Sequence, residues 1–348
     1  MPSLTPPYFY NYYNYDTVNY PVIRLYGVWL NNQGDLQVTL NSSVLPHKWR
    51  YKNTIFKVFI KLSLGKNSIT LTDSDGNTKT VNIYYDLPAI NNDPVLKLVL
   101  YDSYDGTGVC DAPLTRTDNS LQDNINRLKT DGLLLQSFFA EAYRAARQKQ
   151  EGLVGLPFTT FNLELDSNQE PVVHYLKASD PKYTREYFRI GPDPTKPTPQ
   201  DGTVGIDTLL QSLKPSGKTV YTIGYTLTSH LDRASGIYGG SVGKATNAFG
   251  GMNAANLIWH PKTIYELQSV FDNTSIIDKT FNKDNSANTP SASYAKIVGS
   301  LLHEFLHHAF NINHPSEIIG IINNNPLSYL FPFDFEEYPN AFGIDEND

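Results

Sequence analysis

Cysteine is nearly absent from this chain: Cys110 is the only one among 348 residues. A single cysteine cannot form an intramolecular disulfide, which excludes the disulfide-stabilised folds of small secreted domains. Residues 1–16 contain neither the basic segment nor the apolar core of a secretory signal peptide. We therefore expect a cytoplasmic protein, and this pattern leaves unconventional export open.

Long apolar runs are absent as well, and no stretch reaches the roughly 18 residues that a membrane-spanning helix needs. The net charge of −7 argues against nucleic acid as the main partner, because an acidic surface repels phosphates. Tyrosine, in contrast, is abundant, with 23 residues, several of them clustered in residues 8–15. This tyrosine-rich head is either an arm that packs on the protein or an interaction segment. The sequence does not define the oligomeric state.

The first 88 residues have the pattern of a small β-sandwich domain. β-Branched and aromatic residues are enriched in short segments, and clusters of Asn, Asp and Gly separate these segments as turns. Regular short strands without an intervening helical pattern are typical of a sandwich. The predicted strands are Val22–Leu30, Asp35–Leu40, Thr54–Leu62, Ser68–Thr72 and Thr78–Tyr85.

Residues 89–348 mix helices with strands and form the second predicted domain, so the predicted fold class is α+β. The apolar run Val95–Tyr101 is typical of a central strand. Apolar spacing predicts a long helix over Asn119–Gln150. Further predictions are strands at Phe158–Leu165 and Thr219–Tyr225, helices at Thr203–Leu213 and Thr263–Phe271, and a surface loop at Gly191–Gly202.

The segment His303-Glu304-Phe305-Leu306-His307 has the H-E-x-x-H pattern of zincins. It lies in Ser291–Ile312, which lacks proline and has the apolar spacing of a buried helix. Residues four apart share one helix face, so the two imidazoles can converge on Zn²⁺. Glu304 is then placed to take a proton from a water on the metal. The pattern predicts a zincin-like, metzincin-type metallopeptidase domain.

The third metal ligand is predicted to be His314, which follows His307 by seven residues. The metzincin pattern has a spacing of six and a glycine where Phe310 stands here. Asn311 and Asn313 tolerate the left-handed backbone that ends a helix, so a turn is still compatible with the sequence. Glu336 or Glu337 is the alternative third ligand.

Several segments, taken in order, resemble an uncharacterised family of fungal zinc metallopeptidases that join an N-terminal β-domain to a zincin domain. The resemblance extends over roughly residues 20–322. The chain resembles this family in the way that a divergent member would. The similar segments are Leu62–Ile69, Leu98–Ser103, Leu133–Ala142, Gly239-Gly240, Ala248–Gly250 and Trp259–Pro261. The Leu133–Ala142 segment matches the family pattern L-x-x-Q-x-F-x-A-E.

The resemblance implies that His303 and His307 bind zinc and that Glu304 is the base, with His314 as third ligand after a one-residue insertion. Two features depart from the family pattern. Leu306 and Phe310 stand where the family has glycine, and residues 320–322 read Gly-Ile-Ile, without the methionine of a Met-turn. An isoleucine fills a similar apolar volume, so packing below the metal can be preserved.

Two functions from different classes follow. The leading hypothesis is a zinc-dependent peptidase acting on peptide or protein substrates, with the glycine-rich stretch Gly236–Gly251 either as a substrate-pairing edge strand or as a surface loop. The alternative is a catalytically decayed zincin-fold protein with a binding or assembly role. A weaker hypothesis gives the β-domain a carbohydrate- or protein-binding role through Trp29 and Trp49.

Overall fold

The computed structural model describes most of the chain up to residue 266, and nothing below concerns the structure of other residues. The described residues fall into two compact units: those up to 87 and those of 136–160 belong to the first, and those of 95–135 and 161–266 belong to the second. The described ranges are 8–29, 35–50, 55–87, 95–110, 117–152, 156–190, 207–214, 219–228, 231–232, 237–238, 241–244, 249–253, 257–258 and 260–266.

The described residues of the first unit form eight strands in two sheets. One sheet has the order β1-β3-β6, and the other has the order β2-β8-β7-β4-β5. This arrangement fits a β-sandwich, as the sequence predicts. The strands are β1 (Tyr8–Phe9), β2 (Asp16–Val18), β3 (Val22–Val28), β4 (Asp35–Leu40), β5 (Ser43–Arg50), β6 (Ile55–Lys61), β7 (Gly65–Thr72) and β8 (Thr78–Tyr85).

Strand alternation explains the core of this unit. From Asn67 in β7 and from Val81 in β8 every second residue is buried, so one face of these strands is covered. In the smaller sheet, Leu25 lies opposite Val58, and Ile23 lies opposite Ile60. All four side chains are buried, and they form an apolar face. Burial of two such faces is the main stabilising contribution in a sandwich.

The opposite face of the smaller sheet mixes polar with apolar residues, among them the buried Phe59, which lies opposite Arg24. It carries Arg24 and Lys57, each only 1% exposed. Helix α1 (Leu121–Glu151) contributes Glu141, which pairs with Arg24 within this unit. The face of β3 that a sequence reading would leave to solvent is therefore covered by a helix from later in the chain.

The tyrosine-rich head packs on the first unit. Strand β1 pairs with β3, and the ring of Phe9 meets that of Phe56 edge to face at 5.8 Å. Tyr12 is buried and stacks on Phe158 at 4.7 Å. Tyr10 and Tyr13 stay exposed. The packing interpretation of the head is thus the one that the structure shows.

The second unit is built on a mostly parallel sheet of order β10-β9-β12-β16-β15, with β11 also paired to β9. Only β15 among these strands runs antiparallel to its partner. The strands are β9 (Val95–Asp102), β10 (Asn162–Leu163), β11 (Val173–Lys177), β12 (Val220–Thr226), β15 (Ser241–Lys244) and β16 (Phe249–Asn253), with a separate hairpin of β13 (Leu231–Asp232) and β14 (Ile237–Tyr238).

Helices cover both faces of strand β9. The first half of α1 lies against Leu98, where a Cβ on Gly132 would come within 2.8 Å of the leucine side chain. The other face carries Val99 and Tyr101, which pack with Leu210 of α3 (Asp207–Ser212). A central strand covered on both faces must be apolar throughout, which explains the continuous run seen in the sequence.

Most of the predicted elements agree with the structure, and the described fold is mostly β with few helices. The prediction for Phe158–Leu165 is wrong in extent, because the strand is only Asn162–Leu163, followed by an isolated bridge between Leu165 and Pro171. In Thr263–Phe271 the described part holds one 3₁₀ turn, Ile264–Glu266, rather than an α-helix. The sequence reading also missed β5, β11 and α2 (Arg185–Ile190).

Candidate functional site

The residues of the predicted metal centre lie outside the described residues. This applies to the H-E-x-x-H helix and to every candidate ligand or base: His303, Glu304, His307, His314, Glu336 and Glu337. Within the part of the chain that the structure describes, no three His, Cys, Asp or Glu side chains are grouped so as to hold a metal ion. The polar clusters described below belong to other parts of the chain.

Asp102 occupies the carboxyl end of the central strand β9, in the segment that resembles the family pattern. Its side chain is fully buried. The backbone N–H of Ser103 and that of Gly108 donate to it at 2.9 and 2.7 Å, and the Tyr175 hydroxyl donates at 2.8 Å. Three donors stabilise a buried carboxylate and fold the loop after β9 around it.

Two further features show how closely this loop fits Asp102. A Cβ on Gly106 would lie 1.9 Å from a carboxylate oxygen, so only glycine fits there. Burial, followed by the hydrogen bond to Asp102, raises the pKa of the Tyr175 hydroxyl, which stays protonated as a donor. Asp102 thus joins the loop after β9 to Tyr175 of β11 and orders this end of the sheet.

A second polar cluster joins helix α1 to the segment 260–266. Asp131 Oδ2 lies 2.6 Å from His260 Nδ1, and both side chains are completely buried. The Tyr225 hydroxyl of β12 lies 3.4 Å from the same nitrogen. Arg127 Nε donates to the His260 carbonyl at 3.1 Å, and Thr130 Oγ1 donates to the Lys262 carbonyl at 2.9 Å. One helix face thus holds this segment at several points.

Burial dominates the electrostatics of this cluster. Loss of water raises the pKa of the Asp131 carboxyl, against smaller lowering effects from His260 and Tyr225. Burial, with the charge of Asp131 adding to it, also raises the pKa of Tyr225. A carboxylate beside a histidine is the arrangement that orients catalytic or metal-binding imidazoles elsewhere. Here it fixes His260, which belongs to one of the segments that carry the family resemblance, against α1.

The glycine-rich stretch Gly236–Gly251 contributes strands to the second unit. Strand β15 pairs antiparallel with β16 and is the last strand on that side of the sheet among the described residues. The other interpretation of the stretch, a surface loop with turn glycines, does not hold for Ser241–Lys244 and Phe249–Gly251.

Sequence reasoning missed the buried polar residues Asp102, Asp131 and His260. Asp102 and His260 lie within segments used for the resemblance, but no spacing rule connects Asp131 with His260, which is 129 residues away. Trp29, proposed as a stacking residue, is buried and meets Phe56 edge to face at 6.4 Å. It is a core residue, so that hypothesis is wrong for Trp29; the side chain of Trp49 lies outside the described residues.

A family model assigns the chain to a class of hydrolases. The model, named Metallopep and described as "Putative peptidase family", matches residues 6–188. The match covers more than half of the 348 residues. The chain belongs to this family, whose name implies a metal and whose description implies a peptide substrate.

Other comparisons add little. No curated protein matches the chain. Among solved structures, the fibronectin(III)-like modules of Clostridium thermocellum CbhA match 24% of this chain and 100% of their own, with 12% identity and a TM-score of 0.18. A TM-score of this size does not establish a shared fold.

Among the described residues, no helix is both long and apolar enough to cross a membrane.

Proposed function

We propose that this protein is a zinc-dependent metallopeptidase with its catalytic centre in residues 303–314. The observation that carries the proposal is an H-E-x-x-H segment in a chain that belongs to a peptidase family. The family match ends at residue 188, so the motif is an independent observation from a different part of the chain. Residues 1–88 then form an accessory β-domain and residues 89–348 a zincin-like catalytic domain.

Three imidazoles form the proposed metal-binding set: His303, His307 and His314. Neutral imidazole nitrogens suit a borderline cation, and three protein ligands leave one coordination position for catalysis. When bound, zinc would polarise the substrate carbonyl and lower the pKa of water. Glu336 or Glu337 replaces His314 in the alternative ligand set.

Glu304 is the proposed general base. In the H-E-x-x-H pattern it is adjacent to the first histidine, one step around the helix from the ligand face. Its carboxylate accepts a proton as water attacks the peptide carbonyl, and the same group delivers that proton to the leaving amine. A structural metal site has no need of a carboxylate at this position, which favours a catalytic role.

Strand β15 is the proposed docking strand for an extended substrate. It occupies the end of the described sheet, and a peptide can pair with such a strand through its backbone. Backbone pairing is insensitive to sequence, so cleavage preference would depend on side-chain pockets near the metal.

The competing proposal is a zincin-fold protein that has lost catalysis and keeps a binding or assembly role. The specific observations that favour it are Leu306 and Phe310 in place of glycine and residues 320–322 without methionine. This alternative also allows zinc to bind, so metal content alone does not separate it from the peptidase.

The metal-binding part is tested by elemental analysis of purified wild type, His303→Ala, His314→Ala and His308→Ala. We expect about one zinc per chain in wild type, as a single H-E-x-x-H site binds one ion. The His303 and His314 variants should lose most of it. His308 directly follows His307, and helical spacing would place it off the face shared by His303 and His307, so His308→Ala should keep the zinc. Zinc retained by His314→Ala moves the third ligand to Glu336 or Glu337. Wild type without zinc after reconstitution contradicts the proposal.

A further inference from the structure

The first unit contains a pocket of about 100 Å³ beside the tyrosine-rich head. A cavity needs about 10–15 Å³ to hold a single water, so this one has room for more than one water. The lining comes from the head, from strand β3 and from the second half of α1. We call this cavity the tyrosine pocket.

Aromatic rings form much of the wall of the tyrosine pocket. Tyr10, Tyr13, Tyr26 and Phe158 all line it. Tyr10 and Tyr13 are 43% and 45% exposed, which is high for such large rings at the mouth of a cavity. Tyr10 and Tyr26 lie 5.4 Å apart with their planes tilted by 39°. Arg24 lies over the Tyr26 ring at 4.5 Å, and Arg144 lies over the rings of Tyr13 and Phe158 at 5.5 and 4.0 Å. The aromatic surface left for a ligand is therefore that of the exposed Tyr10 and Tyr13 rings at the mouth, each with a hydroxyl at its edge.

The charges in the pocket are already compensated. Arg24 Nη2 lies 2.6 Å from Glu141 Oε2, and Arg144 Nη1 lies 3.1 Å from Asp16 Oδ2. Each cation therefore has its own carboxylate. A pocket of this kind has no excess positive charge to bind a phosphate or carboxylate and no excess negative charge to bind an amine, so it suits an uncharged ligand.

Hydrogen-bonding capacity is nevertheless left over. Among the described residues, the Tyr13 hydroxyl and the Gln148 amide have no hydrogen-bond partner. Arg144 is 3% exposed, and its Nε and Nη2 lack a partner in the described structure. Buried donors without acceptors are costly, and a ligand oxygen that moves into their range recovers that free energy. The unused groups include both donors and acceptors.

We propose that the tyrosine pocket binds one sugar residue of a neutral carbohydrate chain. A sugar ring presents apolar C–H faces to tyrosine rings and hydroxyls, which both donate and accept, to the Gln148 amide and the Tyr13 hydroxyl. Compensated charge, aromatic walls and unused neutral hydrogen-bonding groups together fit this class of ligand. The site does not depend on Trp29, which is in the core, or on the metal centre, so it would hold even if the chain were not a peptidase.

The test is titration calorimetry of the full chain with soluble hexasaccharides of glucose (β-1,3 and β-1,4), mannose and N-acetylglucosamine. At least one probe should bind, and Tyr13→Ala and Gln148→Ala should each weaken that binding at least about tenfold, the effect of losing roughly 1.4 kcal/mol of contact. Tyr15→Ala is the matched control: Tyr15 is 58% exposed on the same head and does not line the pocket.

Circular dichroism and urea unfolding of each variant would verify that the fold is retained. These substitutions alter partly exposed residues, so we expect all three variants to fold. No binding of any probe overturns the proposal, as does equal weakening by Tyr15→Ala. Zinc content and peptide hydrolysis should stay at the wild-type level in the two pocket variants, which separates this site from the peptidase centre.

Discussion

Arg24 and Glu141, which are 117 residues apart in the chain, form a buried ion pair in the first unit. Arg24 Nη2 and Nε both donate to Glu141 Oε2, at 2.6 and 3.1 Å, and the two side chains are 1% and 4% exposed. Asn11 adds a further donor to the same oxygen at 3.1 Å. The glutamate of the L-x-x-Q-x-F-x-A-E segment is thus a structural residue that joins the helix to the β-domain.

Removing either partner of this pair should destabilise the protein strongly, because the remaining charge stays buried without compensation. We expect Glu141→Leu or Arg24→Leu alone to cost about 3–5 kcal/mol in the free energy of unfolding, and the double variant to cost less than the sum. Urea unfolding at neutral pH measures this. Lys182→Ala serves as control, since its pair with Asp180 is 3.0 Å long but exposed and should contribute little. Additive losses would show that the two side chains are not coupled.

Asp131 should stabilise the fold more at acid pH than at neutral pH. Its folded-state pKa is raised by burial, so the folded state binds the proton more tightly than the unfolded chain does. The stabilisation is complete below the unfolded pKa of about 3.9 and is lost as the pH rises through the folded pKa. The difference in unfolding free energy between wild type and Asp131→Asn should therefore shrink as the pH rises from about 4. A difference that grows over this range contradicts the prediction.

Asp123, on the same helix, should show the opposite pH dependence. Ser120 Oγ and the Ser120 N–H donate to its carboxylate in a capping box at the start of α1, and they lower its pKa to about 2. The stabilisation is present above about pH 3.9 and disappears as the pH falls through 2. We expect Asp123→Ala to cost about 1 kcal/mol at neutral pH, and much less near pH 2. A cost that does not change with pH would mean that the carboxylate charge has no role in the cap.

Gly224 should not tolerate a side chain. It lies opposite Val99 in the parallel pair of β12 and β9, and a Cβ would come within 1.7 Å of the Val99 carbonyl oxygen. We expect Gly224→Ala to cost about 1–3 kcal/mol, because the central strands must move apart. Thermal unfolding measures this, with Gly132→Ala as a milder comparison since its Cβ meets only a flexible leucine side chain at 2.8 Å. A Gly224→Ala protein as stable as wild type would show that the two strands are further apart.

Local sequence patterns predicted the strands in which the spacing of apolar residues follows the burial of the side chains. Alternation and turn residues identified β4 and β8 with their observed bounds, and the apolar run identified β9. Strand β5 was missed because it contains Pro46 and polar residues, which edge strands accept. Strand β11 was missed because its residues are only partly buried, so it lacks an apolar run.

The buried polar residues could not be predicted, because their partners come from distant parts of the chain. Arg24 in β3 looks like a solvent-facing residue until helix α1 covers it, and Asp131 looks like an exposed helix residue until His260 packs against it. For the catalytic residues the situation is reversed. The spacing of His303, Glu304 and His307 indicates chemistry on a single helix, so this prediction needs no tertiary contact, and it stays a prediction.

The central claim is a catalytic zinc centre with Glu304 as base. The most direct test measures hydrolysis of a peptide library by wild type and by Glu304→Gln, with the zinc content of each protein determined first. The account predicts full zinc occupancy in both proteins. The rate of peptide hydrolysis should be about 10²–10⁴-fold lower in the variant, since only the proton acceptor is lost. Removing zinc with a chelator should abolish wild-type hydrolysis, and adding zinc should restore it. Equal rates in the two zinc-loaded proteins, or a zinc-loaded wild type that cleaves no peptide, would contradict the account.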